Sequence, residues 1–212
     1  MIVQYSRQML KDGLTRGTFG NISVLVGDRL MAVSPSGVDY EQMTPDDVPV
    51  IDFDGHIVEG SLRPSSETPM HISIYQQRPD TGAIVHTHSP YATAFAIAGK
   101  PIPAMHYGVG RLGGDVIPVT EQYELFGSPE LARSAVAALG TVYTGVLLRN
   151  HGTVAIGPNL NKAYSDALTI EAMAELALLS SAVGDPVVLS AVQIGAAIKQ
   201  FGKRGQSGSG DR

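Results

Sequence analysis

The chain has 212 residues, 43% hydrophobic and 17% charged, with a formal net charge of -5 and neither cysteine nor tryptophan. That length and apolar fraction predict one domain with a sizeable core and exclude pervasive disorder or fibrous architecture. Without cysteine there is no disulfide framework, thiolate zinc site or cysteine nucleophile, and the acidic balance without a long Lys/Arg run argues against a nucleic-acid or anionic-membrane surface. A metal must then be held by His, Asp or Glu, and an anion by local donors.

Ile2 to Asp12 has helical spacing and ends at Gly13, a C-cap residue, before the loop Gly17-Thr18-Phe19-Gly20-Asn21. Two apolar runs, Ile22 to Val26 and Leu30 to Val33, flank Gly27-Asp28-Arg29, and Val48 to Phe53 with Ile57-Val58 flank Asp54-Gly55; both patterns predict hairpins. Ser65 and Ser66 precede a helix over Met70 to Gln77, and Ala83 to His88 reads as a strand. Ser89-Pro90 predicts the cap and first turn of a short helix closed by Gly99, and Ser128-Pro129 opens another helix in the same way. Val142 to Leu148 and Thr153 to Ile156 are strand candidates around the turn Arg149-Asn150-His151-Gly152.

From Asn161 to about Val183, small and aliphatic residues recur on one helix face at Ala163, Ala167, Ile170, Ala174 and Ala177. The most apolar stretch, Ala172 to Val183, is broken by Glu175 and too short to span a bilayer, and the N-terminus lacks a secretory pattern, so a soluble cytoplasmic protein is expected. Strands mixed with helices without a regular βαβ alternation predict a layered α/β or α+β fold. Residues 1–202 are expected to form the single domain and 203–212 a disordered tail, Gly/Ser-rich from Gly205.

Six histidines carry the candidate chemistry. In His86-Thr87-His88 the two imidazoles lie two residues apart on a strand and project from one face, at a separation suited to chelating one ion. His151, in a turn between two strands, can be aimed into the same sheet-end cleft; three His with an open fourth position is the arrangement of catalytic zinc. His56 lies in a hairpin and is expected at the surface, His71 is a packing or supporting residue, and His106 beside Tyr107 is open. The loops holding Thr18, Gly20 and Asn21, then Ser36 and Gly37, then Ser65 and Ser66 offer backbone N–H groups and hydroxyl or amide donors that can hold a phosphate. Each is also compatible with an ordinary turn or cap, and Glu67 with a capping role, a metal ligand or a general base.

Taken together, Gly-Thr-x-Gly-Asn-x-Ser from Gly17, Ser-Pro-Ser-Gly from Ser34, Ser-Ser-Glu from Ser65, His-x-His-Ser-Pro from His86, His-Tyr at His106 and Asn-His-Gly from Asn150 resemble the class II aldolase/adducin family. The order and approximate spacing match over roughly Tyr5 to Gly202. The resemblance implies a mixed α/β fold with a predominantly antiparallel sheet flanked by helices. It implies one Zn²⁺ per subunit on His86, His88 and His151, with Glu67 both fourth ligand and acid/base, although such donors also accept Mn²⁺, Fe²⁺ or Co²⁺. The phosphate pocket would comprise Gly20, Asn21, Ser36, Gly37, Ser65 and Ser66 with Thr18 nearby, and Tyr107 would be a proton donor supplied by an adjacent subunit of a homotetramer.

The implied activity is cleavage of a deoxyketose 1-phosphate, of the L-fuculose or 5-deoxyribulose kind, to dihydroxyacetone phosphate and a small aldehyde through a metal-stabilised enediolate. Sugar-phosphate 4-epimerases, a methylthioribulose-phosphate dehydratase and the binding module of adducin share the scaffold. Intact metal ligands disfavour the last of these, and Met105-His106-Tyr107-Gly108, which lacks the epimerase aspartate, favours the aldolase. One departure is Phe201-Gly202, where the fuculose-type enzymes carry Tyr-Gly near the C-terminus. Arg111 is a further candidate substrate contact, although an exposed loop arginine is the favoured reading.

Overall fold

Side chains alternate along the central strands between two cores, and the helices divide between them. In this computed structural model, which describes residues 1–204, nine strands occur in chain order: β1 (Asn21–Gly27), β2 (Leu30–Val33), β3 (Val50–Asp52), β4 (Ile57–Glu59), β5 (Ala83–Thr87), β6 (Ile102–Pro103), β7 (Val116–Ile117), β8 (Gly145–Leu148) and β9 (Gly152–Gly157). Seven form one sheet in the order β4-β3-β2-β1-β5-β9-β8 with every neighbouring pair antiparallel, and β6 pairs with β7 apart from it. Both expected hairpins, β1/β2 and β3/β4, form the first half of the sheet.

The helices are α1 (Ile2–Lys11), α2 (Thr68–Gln77), α3 (Pro90–Ala98), α4 (Pro129–Leu139), α5 (Leu160–Val183) and α6 (Ala191–Arg204). On one sheet face, Ile22, Val85, Leu147 and Ala155 pack with residues of α1, α3 and α5. On the other, Ile84, Val146, Leu148, Val154 and Ile156 pack with residues of α2 and α4. The two sets interleave along each strand because successive side chains point to opposite faces, so both faces are buried and the strands read as apolar runs. Each fully buried aliphatic side chain contributes about 2 kcal/mol. The Ala163/Ala167/Ala174 stripe is buried, letting α5 lie close to the sheet and to α3.

Of the two helix starts that Ser-Pro predicts, one forms as expected and the other does not. Ser128 caps α4 as its position predicts, accepting a hydrogen bond from the Leu131 N–H at 3.1 Å. Ser89 does not cap α3: its hydroxyl is buried without a partner, and the Glu171 carboxylate of α5 instead accepts from the Tyr91 and Ala92 N–H groups, each at 2.9 Å. A carboxylate at a helix N-terminus meets both the free N–H groups and the helix dipole, which a neutral hydroxyl serves less well.

Helix α6 was outside the sequence expectation, which assigned no element after Val183. Gly195 and Gly202 interrupt its periodicity, and Ile194 is the one buried residue among its described side chains. It packs on a 3-10 turn, Tyr107–Leu112, where a β-carbon on Gly110 would stand 3.1 Å from Ile198. Residues 203 and 204, the first two of the expected tail, belong to this helix, and residues 205–212 lie outside the described residues. No helix among the described residues is long and apolar enough to cross a membrane.

Candidate active site

Strand pairing assembles the site. Asn21, the first residue of β1, lies opposite His86 of β5, and β5 in turn pairs with β9, with Thr87 opposite Thr153. The β8/β9 turn carries His151 to the same sheet end, and Asn150 beside it adopts a left-handed backbone (φ 57°), which asparagine tolerates better than most residues. Arg149 braces that turn by donating to the Thr120 and Gly99 carbonyls, both at 3.2 Å. Glu67 occupies the N-cap position of α2 without a side-chain capping hydrogen bond, and its carboxylate points at the histidines instead.

Glu67, His86, His88 and His151 each offer one ligand atom, and all four atoms lie within 4.8 Å of one another. His88 stands one residue beyond the strand that was expected to include it, yet its Nε2 lies 2.9 Å from that of His86. The three rings meet edge to face, at centroid separations of 4.8 to 4.9 Å. The Glu67 carboxylate lies 2.8 Å from His86 Nε2 and 3.2 Å from His151 Nε2.

Supporting contacts fix which nitrogen faces the centre. His86 Nδ1 lies 2.9 Å from the Thr153 carbonyl, which can only accept, so Nδ1 carries a hydrogen and Nε2 is the nitrogen that faces the centre. The Asn21 side-chain amide donates to Glu67 Oε2 at 2.9 Å. Glu67 Oε1 is buried with no hydrogen-bond partner. An orphaned carboxylate oxygen facing converging imidazole nitrogens fits a divalent cation, and an N,N,N,O donor set suits zinc and its first-row neighbours.

The electrostatics agree. Burial pushes His88 down to about 3 and His151 to about 4, so both are neutral at pH 7, the state in which an imidazole can ligate a cation. Burial alone would lower His86 and raise Glu67, but their mutual attraction outweighs it: His86 is raised and Glu67 is held well below the usual carboxylate range, with His151 and Asn21 adding to the second effect. The remaining histidines stand apart. His56 is exposed against Asp52, His106 accepts the Gly108 N–H through Nδ1, and His71 is fully buried on α2 with Nδ1 2.7 Å from the Ser23 hydroxyl and its ionisation pushed down to about 3 by burial.

The cluster opens into a cavity of about 390 Å³. Thr18, Gly20, Asn21, Ser36, Gly37, Ser65 and Ser66 all line it, together with Glu67, His88 and His151. Close backbone approach makes this possible at Gly20, whose φ is +75° and whose β-carbon, if present, would stand 2.6 Å from the His86 carbonyl. No Lys or Arg is among the lining residues, so an anion there meets hydroxyls, backbone N–H groups and the N-terminus of α2.

Tyr107 is elsewhere: it is 54% exposed and lines a separate depression with His106, Arg111 and Phe201. Its ring stacks on Phe201 at 6.0 Å, while Arg111 lies 5.9 Å over the Phe201 ring and donates to Ser165. Sequence reasoning gave no site role to Phe19 and Asn150, although both stand in its motifs, and passed over Tyr123 and Phe126; all four also line the cavity. The Tyr123–Phe126 segment has no periodic pattern, and it reaches the site through Gly127, which at φ +75° packs within 2.7 Å of the Ser66 carbonyl where a β-carbon would be. That contact spans the chain and leaves no local signal.

A family model for the class II aldolase and adducin N-terminal domain matches residues 1–178. The chain is 38% identical over 206 residues to the 5-deoxy-D-ribulose 1-phosphate aldolase of Bacillus thuringiensis serovar kurstaki, covering 97% of this chain and 95% of that one. It is 39% identical over 201 residues to the L-fuculose phosphate aldolase of Escherichia coli K12, covering 94% and 92%. A solved L-fuculose 1-phosphate aldolase superposes with a TM-score of 0.89 at 37% identity, covering 95% and 94%.

Proposed function

The chain belongs to the class II aldolase and adducin family, and on that premise we propose that it cleaves a deoxyketose 1-phosphate, of the L-fuculose or 5-deoxyribulose type, to dihydroxyacetone phosphate and a small aldehyde. The observation that carries this reading is one cavity holding both a Glu/His/His/His cluster and three hydroxyl- and glycine-rich loops. Ser36, Gly37, Ser65 and Ser66, with Gly20 and Asn21 and with Thr18 beside them, grip the phosphate and so fix which carbon lies against the cluster. His86, His88, His151 and Glu67 would hold a divalent cation, zinc on the chemistry of the donor set. When bound, that cation supplies a Lewis acid that draws electrons from the ketose carbonyl and stabilises the negative charge left on the phosphorylated fragment.

Cleavage needs a proton removed from the C4 hydroxyl, the C3–C4 bond broken and a proton returned to C3. Glu67, whose carboxylate lies 2.8 Å from His86 Nε2, is suited to the last step: as the carboxylate it takes up the proton that leaves the C4 hydroxyl, and once protonated it returns that proton to C3. The phenol of Tyr107 assists removal of the hydroxyl proton. Since Tyr107 does not line its own chain's cavity, it acts from a neighbouring copy, which supports a homotetramer with active sites at subunit interfaces. Residues 1–202 act as one catalytic domain in this reading, and the compartment is the cytoplasm.

A panel of ketose 1-phosphates, scored for dihydroxyacetone phosphate release, tests the assignment. The expected ranking is led by 5-deoxyribulose 1-phosphate or L-fuculose 1-phosphate. Release from none of them would refute it and transfer weight to the epimerase, dehydratase or binding-module activities of the scaffold.

A further inference from the structure

Polar loops and apolar side chains share the cavity wall, and Phe19 is the apolar residue that stands beside the Glu/His cluster. Its ring is 64% exposed, although the loop beneath it is firmly held: the Thr15 hydroxyl donates to the Phe19 carbonyl at 2.5 Å, the Phe19 N–H donates to the Arg16 carbonyl, and Gly20 packs its backbone against His86. One ring face stacks on the His88 imidazole, with centroids 5.3 Å apart and planes inclined by 27°. A large apolar ring on a fixed loop, covered on one side and open to a ligand cavity on the other, is a binding surface still awaiting its contact.

The groups a ketose 1-phosphate must satisfy allocate that surface. Its phosphate takes the hydroxyls and backbone N–H groups, and its carbonyl and neighbouring hydroxyl face the Glu/His cluster. The carbon end remote from the phosphate is the part left to meet apolar walls, to which Tyr123 and Phe126 also contribute, 52% and 59% exposed. We propose that Phe19 is a specificity-determining residue that packs against the non-phosphorylated end of the ketose and selects a terminal methyl over a terminal hydroxymethyl group. The inference rests on the aldolase reading above and deepens it. A methyl against the ring gains by leaving water, whereas a hydroxyl there loses hydration and meets neither donor nor acceptor.

The test compares 5-deoxyribulose 1-phosphate with ribulose 1-phosphate, which differ by one terminal hydroxyl, in the native chain and in Phe19→Ala and Phe19→Leu, each assayed with bound metal and thermal midpoint. Apolar pockets separate such pairs by about 10²-fold at most. The native enzyme is therefore expected to prefer the deoxy substrate in kcat/KM by about 10- to 100-fold. Phe19→Ala is expected to reduce that preference about 10-fold through loss on the deoxy substrate alone, and Phe19→Leu to retain most of it, with metal content unchanged in both. An unchanged preference in Phe19→Ala would overturn the inference while leaving the aldolase reading intact. Equal losses on both substrates, accompanied by loss of metal, would also overturn it by assigning Phe19 to the support of His88. Cleavage of neither substrate by the native enzyme would overturn the aldolase reading and this inference with it.

Discussion

Glu67→Gln is expected to lower cleavage by about 10³-fold and to abolish exchange of the C3 proton of dihydroxyacetone phosphate with solvent, because general acid–base groups contribute about 10²- to 10⁴-fold and this variant removes the only carboxylate in the cluster. Glutamine preserves the shape of a side chain that is 5% exposed and wedged between Asn21 and His86, so the fold is expected to survive. What it loses is the ability to accept a proton and the negative charge that attracts a cation. Exchange followed by NMR in deuterated water isolates the first effect, and metal content measured on the same sample isolates the second. Normal exchange in a metal-replete Glu67→Gln enzyme would remove Glu67 from the role of base.

Tyr107→Phe is expected to reduce cleavage by about 10²-fold or more while leaving that proton exchange within about twofold of the native rate. The two measurements separate because exchange at C3 requires the metal cluster and its base, whereas bond cleavage also requires a proton to move at the aldehyde oxygen. Placement across an interface has its own signature. Co-assembled Glu67→Gln and Tyr107→Phe chains are expected to recover activity at about a quarter of the sites, the fraction that random association gives an intact Glu67 and an intact Tyr107 from different copies. Equal losses of cleavage and exchange, or no recovery on mixing, would contradict the assignment.

The convergence of His86, His88 and His151 was legible in the sequence because two short-range rules apply to it. Alternation along a strand sets His86 beside His88, and turn chemistry between two apolar runs aims His151; the structure brings both together, with His88 just past the strand end. The glycine and serine loops were legible for a related reason, since left-handed turns and a helix N-terminus are marked by composition. Sheet order was not: β5 lies between β1 and β9 through pairings of Asn21 with His86 and of His86 with Val154, which depend on packing over long sequence separations. The cap of α3 shows the same limit, because Glu171 comes from another helix 80 residues along the chain and displaces the serine that the local pattern selects. Phe19 was visible as a residue but not as a wall, since its meaning depends on the His88 ring beneath it.

Metal content and dihydroxyacetone phosphate release, measured together on one preparation before chelation, after chelation and after readdition of Zn²⁺, test the central claim most directly. The expected result is about one divalent cation per chain, release abolished when the cation is removed and restored when it returns. Full release by protein shown to be free of metal would contradict it.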